Sequence, residues 1–164
     1  MADLKSGLNQ LYLRDEELRQ GIELLFYAYR DFTAEPDAIL AQLDFGRAHH
    51  RVIYFVGRYP QIGVSELLGI LRITKQSLGR VLGQLVELGY VRQLTGEDDR
   101  RRRLLELTDK GRELERQLSE RQRALVARAY REAGAASVEG FRKVLLGMIN
   151  EGDRRHFTRP DKYR

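Results

Sequence analysis

Four consecutive arginines, Arg100 to Arg103, are the most chemically pointed feature of the sequence. Neighbouring guanidiniums repel one another, so such a run belongs in solvent or against a polyanion. It follows an acidic turn, Thr95–Gly96–Glu97–Asp98–Asp99, and lies between two runs of β-formers, Tyr90–Val91–Arg92–Gln93–Leu94 and Leu104–Leu105–Glu106–Leu107. That pattern predicts a β-hairpin with a cationic tip. Arg100, Arg101 and Arg102 suit phosphate contact and insertion into a narrow minor groove, whose negative potential attracts arginine. Asp99, two residues before Arg101, is placed to hold that guanidinium by a charge-assisted hydrogen bond. An arginine held in this way loses less side-chain entropy on binding.

A second set of donors precedes the hairpin. In Thr74–Leu88 the apolar residues Leu78, Val81, Leu82, Leu85 and Leu88 recur with helical spacing. The other face carries Gln76, Gly79, Arg80, Gly83 and Gln84, with Lys75 and Ser77 in the first turn and Thr74 as N-cap. Gln can read adenine and Arg guanine with two hydrogen bonds each, while Lys and Ser more often touch phosphate. Gly79 and Gly83 make the face slim, at a cost in helix stability of about 1 kcal/mol each. A helix of this kind fits a major groove about 12 Å wide.

Periodicity gives the helices that carry these groups. Val64–Leu71, a break at Arg72–Ile73 and the helix from Thr74 form a helix-turn-helix. Gly89 supplies its left-handed stop. Upstream, a helix is expected over Asp15–Phe32, with Asp15 as N-cap and a stripe of Leu18, Ile22, Leu25, Tyr29 and Phe32. Leu24, Phe26 and Tyr27 lie off that stripe, so this helix needs more than one partner surface. Thr33, Pro36 and Asp37 should break it. A second helix runs over Asp44–Tyr59 and stops before Pro60. Downstream, Thr108 caps a helix reaching Ala133, Gly134–Ala136 breaks it, Ser137 caps a last helix ending near Asn150, and 151–164 reads as a basic tail.

Composition narrows the function classes. The 164 residues make one ordinary domain, or a small domain with dimerising extensions. The net charge of +5 is unevenly spread. Residues 1–50 hold five Lys/Arg against nine Asp/Glu, residues 51–110 eleven against seven, and residues 111–164 thirteen against eight. An acidic first third and a basic remainder suggest a polyanion-binding surface on part of the fold. Cysteine is absent, which excludes disulfides, thiolate metal sites and cysteine nucleophiles. His49 and His50 are adjacent and point about 100° apart on a helix, so they cannot share a metal. His49 is read as structural. No phosphate-binding glycine motif or metal-spaced histidine set is present, so no enzyme, no cofactor and no metal site is expected. No apolar run is long enough for a membrane span and Met1 to Gln10 lacks a signal-peptide core, so a cytoplasmic protein without a membrane partner is expected.

The chain from Val64 to Gly111 resembles the winged helix-turn-helix of the MarR family of bacterial transcription regulators. Ile73–Thr74–Lys75–Gln76–Ser77 and Leu85–Val86–Glu87–Leu88–Gly89–Tyr90–Val91 carry the resemblance, together with Asp99–Arg100–Arg101 and Leu107–Thr108–Asp109–Lys110–Gly111. With the flanking helices it covers about residues 15–150. It implies a mainly α fold with a small β-hairpin wing, flanked by N- and C-terminal dimerisation helices. The expected organisation is an N-terminal extension and dimerisation helix over 1–43, a DNA-binding region over 44–108, dimerisation helices over 109–150 and the basic tail. The resemblance further implies a homodimer on double-stranded DNA, reading a pseudo-palindromic site and regulating transcription. The DNA contacts would come from Thr74, Lys75, Gln76, Ser77, Arg80, Gln84, Asp99, Arg100, Arg101 and Arg102. It also implies a small aromatic or anionic effector, for which Tyr12, Tyr27, Tyr29, His49, Arg51 and Tyr54 are the candidate lining; aromatics at helical spacing are otherwise core. Two other readings remain open at this level. One is a winged-helix module for protein–protein contact, which acidic or apolar groups on the Thr74–Leu88 face and a neutral hairpin would favour. The other is a non-specific, nucleoid-type DNA binder.

Overall fold

The computed structural model describes residues 10–158; the ends of the chain, including the last part of the expected tail, lie outside the described residues. After a 3-10 turn at Leu11–Leu13, the order is α1 (Asp15–Ala41), α2 (Arg47–Arg58), β1 (Ile62–Gly63), α3 (Val64–Leu71), α4 (Lys75–Glu87), β2 (Val91–Thr95), β3 (Arg103–Leu107), α5 (Asp109–Ala133), α6 (Ala135–Met148) and α7 (Glu151–Thr158). The chain divides into two compact units, Met1–Gln122 and Arg123–Arg164.

The first unit holds the core. Val52, Ile53 and Val56 of α2, Leu67 of α3, and Leu78, Val81, Leu82 and Leu85 of α4 are buried together with Val91, Leu105 and Leu107 of the strands. Leu114 and Leu118, one turn apart on α5, close this core. The strands form an antiparallel sheet in the order β1-β3-β2, with Val91 opposite Leu107, Leu94 opposite Leu104 and Ile62 opposite Leu105. The two-residue β1 carries no sequence alternation to announce it. It exists because β3 offers it an edge.

Several expected boundaries move. Asp15 is the first helical residue and Arg14 takes the cap position. The break expected at Pro36 does not occur, and α1 continues through it to Ala41. Proline has no N–H to give the Phe32 carbonyl. Gln122 supplies the missing donor, its Nε2 reaching Phe32 O at 3.2 Å. Pro36 itself is fully buried, so packing also offsets the lost bond. The second expected helix starts at Arg47, not Asp44, because Asp44 sits at φ +57° in the preceding turn.

In the second unit, α6 starts at Ala135 directly after Gly134, whose φ of +83° makes the turn alone. Ser137 therefore lies inside the helix and does not cap it. Residues Glu151–Thr158 are helical where a tail was expected, with Glu151 and Asp153 in the first turn and Arg155 and His156 in the last. Phe141, Val144 and Met148 of α6 are exposed. Among the described residues no helix is long and apolar enough to cross a membrane, and no group of three or more His, Cys, Asp or Glu could hold a metal ion.

Candidate nucleic-acid interface

The helix-turn-helix is built as its sequence demands. Arg72, at φ +49°, ends α3 with its N–H on Leu68 O. Thr74 then caps α4, its Oγ1 accepting the Ser77 N–H at 3.1 Å and facing Ser77 Oγ at 2.8 Å. The two hydroxyls are thus engaged with each other. Lys75, Gln76 and Arg80 project from the exposed side of α4. A Cβ built on Gly79 or Gly83 would meet nothing within 4 Å, so nothing inside the fold requires glycine at either position.

Gln84, exposed on the same side, also reaches α2. Its Oε1 lies 2.7 Å from His49 Nε2, while His49 Nδ1 accepts the Gly46 N–H at 3.1 Å. Since Nδ1 accepts, the proton of a neutral ring is on Nε2, which donates to Gln84. The ring also stacks on Phe45 at 4.5 Å. Both ring nitrogens of His49 are thus engaged within the fold. The residue ties α2 to α4.

The base of the wing is clamped to α5. Thr108 Oγ1 accepts the Gly111 N–H at 3.1 Å and donates to Gly89 O at 2.5 Å. Lys110 Nζ reaches Leu88 O at 2.8 Å and lies 4.4 Å from the Tyr90 ring centre. The carbonyls left over where α4 ends are thereby satisfied by the start of α5. A Cβ on Gly111 would sit 2.0 Å from Tyr90 O, so only glycine fits there.

At the wing tip the turn is closed by Gly96 N–H to Arg102 O and Arg102 N–H to Asp99 O, each 3.0 Å. Asp99 Oδ1 accepts the main-chain N–H of Arg101 at 2.9 Å. The carboxylate expected to hold the Arg101 guanidinium thus holds its backbone instead. Arg102 turns back from the tip, and its Nη2 donates to Glu66 Oε1 on α3 at 2.8 Å. Arg100 and Arg101 are exposed and their guanidiniums have no partner among the described residues. Lys75, Arg101, Arg102 and Arg103 line an open cleft of about 450 Å³ between the wing and α3, together with Ser65 and Glu66. Sequence reasoning missed Glu66, because nothing local marks a carboxylate whose partner lies 36 residues away.

The six candidate effector residues separate. Tyr29, Arg51 and Tyr54 share a cavity of about 150 Å³ with Phe32, Thr33, Arg47, His50, Phe55 and Gln122. Arg51 Nη2 donates to the Tyr29 hydroxyl at 3.2 Å. Tyr27 instead packs edge-on to Phe26 and under Arg30, and Tyr12 lies exposed in the 3-10 turn. It is His50, not His49, that lines the cavity. Burial lowers its pKa from the usual histidine value, against the pull of Asp37 and Glu115.

Residues 43–102 match the MarR family. Over 151 residues the chain is 52% identical to the HTH-type transcriptional regulator PetP of Rhodobacter capsulatus, covering 92% of this chain and 91% of that protein. The fold resembles that of Streptococcus pneumoniae FabT, solved in complex with DNA, with a TM-score of 0.69 and 22% identity over 80% of this chain and 94% of that one. It also resembles NadR, solved with 4-hydroxyphenylacetate, with a TM-score of 0.65 and 22% identity over 76% and 88% of the two chains. With its winged helix-turn-helix, the chain belongs to the MarR family of transcriptional regulators.

Proposed function

We propose that the protein acts as a cytoplasmic homodimer that binds double-stranded DNA at a pseudo-palindromic site and thereby regulates transcription. The α4 helix would enter the major groove and the wing the adjacent minor groove. One observation carries this reading: Gln76 and Arg80 on a glycine-thinned helix, and Arg100 and Arg101 at the wing tip, all face solvent without a partner among the described residues. The relative FabT, solved with DNA, supports the same partner. For dimerisation, the support is apolar exposure in each unit, Ile22, Leu24 and Phe26 on α1 and Val144 and Met148 on α6 being more than 60% exposed. Apolar surface of this extent marks a contact with another chain, and closed symmetry makes a two-fold dimer the commonest solution. In this reading residues 1–43 and 109–150 serve dimerisation and 44–108 serve DNA.

Selection from a random duplex pool tests the proposal. A dimer should enrich two inverted half-sites spaced about one helical turn apart, ~34 Å. With Arg80→Ala, choice should relax at one position per half-site, a loss of about 1–3 kcal/mol there. Equal binding of random and selected duplexes at moderate salt would favour the non-specific binder.

The two open glycines give a second expectation. Gly79→Ala and Gly83→Ala should each stabilise the fold by about 1 kcal/mol and yet weaken binding to the selected duplex. Denaturant melts and DNA titrations on the same samples check it. A stabilised variant with undiminished affinity would mean that close approach to the helix is not needed.

Modulation by a small aromatic or anionic effector is supported by the Tyr29–Arg51–Tyr54 cavity, which offers aromatic walls and a cation. NadR was solved with a ligand of that chemistry.

A further inference from the structure

A protein that places α4 in the major groove and the wing in the neighbouring minor groove must let one sugar–phosphate strand pass between them. The cleft lined by Lys75, Arg101, Arg102 and Arg103 lies between the wing and the helix-turn-helix. A carboxylate in such a place repels phosphate, and Glu66 is there. Its Oε1 accepts from Arg102 Nη2 at 2.8 Å.

The pair is built into the fold. Gly63 lies beneath it: a Cβ there would come within 3.3 Å of Glu66 Oε1 and 3.5 Å of Arg102 Nη2. Gly63 belongs to β1, which pairs with β3 through Gly63 and Leu104. Arg102 is the last residue before β3, and Glu66 stands in the first turn of α3. One ion pair thus links the wing turn to the helix-turn-helix across the edge strand. The wing tip is otherwise held by short-range contacts within the turn itself, Asp99 to Arg101 and Gly96 to Arg102.

We propose that Glu66, acting through Arg102, is a positioning residue that fixes the wing relative to the recognition helix and so aligns Arg100 and Arg101 with the minor groove. This rests on the DNA-binding reading above. It makes an unusual demand on sign. If charge alone mattered, removing a carboxylate from a phosphate-facing cleft would tighten binding. If Glu66 positions the wing, removing it weakens binding, but only while Arg102 is present.

The test is a double-mutant cycle in the full-length protein with Glu66→Gln, Arg102→Gln and both together. The probes are a duplex selected by the wild-type protein and a random-sequence duplex. Glu66→Gln should weaken binding to the selected duplex by about two- to fivefold, the scale of an exposed ion pair. It should lower the preference for A·T-rich over G·C-rich flanks where the wing lands. In the Arg102→Gln background the same change should leave binding unchanged or tighten it. Melting temperatures should stay near wild type, since an ion pair this exposed adds little stability. Tighter binding by Glu66→Gln in both backgrounds would overturn the proposal, and so would equal weakening in both. If the wild-type protein selects no duplex at all, the DNA-binding reading fails first, and the positioning role fails with it.

Discussion

Gly111→Ala is expected to be the most damaging single-methyl change in the first unit. The added Cβ would lie 2.0 Å from Tyr90 O and 3.3 Å from Leu107 Cβ, against backbone and a strand residue that cannot swing aside. Alanine's better helix propensity offers about 1 kcal/mol in return. Overpacking of a tight site costs about 1–3 kcal/mol, at times more. Relief would require the start of α5 to move off Tyr90, giving up the Gly111–Thr108 bond and disturbing the Thr108 and Lys110 contacts to the end of α4. A net loss of about 2–3 kcal/mol is expected. Urea unfolding followed by circular dichroism measures it, and a midpoint at or above wild type would show that the clamp yields easily.

Arg101→Ala is expected to weaken DNA binding more than any other wing substitution. Its guanidinium is exposed, has no partner among the described residues, and sits within the Asp99–Arg102 turn at the wing tip. Losing a charge-assisted contact should cost about 1.5–3 kcal/mol on every duplex, with a further loss where the minor groove is narrow and A·T-rich. The salt slope should fall by about one unit. Asp99→Ala probes how the arginine is held. Asp99 supports the Arg101 main-chain N–H at 2.9 Å, so its removal loosens the turn while the Gly96–Arg102 and Arg102–Asp99 backbone bonds remain. Net charge becomes more favourable for DNA, yet binding should weaken with folding intact. Titrations at two salt concentrations decide between these effects; tighter binding by Asp99→Ala would leave only charge at the tip.

Features whose partners are close neighbours in the chain are legible from residue type. Thr74 caps α4 by bonding three residues ahead, Gly89 takes its positive φ one residue past the cap, and Thr108 holds Gly111 in the same way as Thr74 holds Ser77. The hairpin follows from two β-rich runs around an acidic turn, and its cationic tip from the arginine run. Residue type alone decides such features, since the partners are within a turn or two. The segments that resemble the MarR family are these same ones.

The tertiary structure decided everything that depends on a distant partner. Pro36 reads as a helix stop until Gln122, 90 residues away from Phe32, donates to the freed carbonyl. His49 and His50 are equivalent in sequence, but the first faces Gln84 and the second the Tyr29–Arg51–Tyr54 cavity. Gln84 is exposed on the face that carries Arg80, and only packing sets its Oε1 against His49. Arg102 looks like its neighbours in the run until Glu66 draws it back from the tip. In each case the local pattern fixes which groups a residue carries, and only the packing of elements fixes which of them is already spent on the fold.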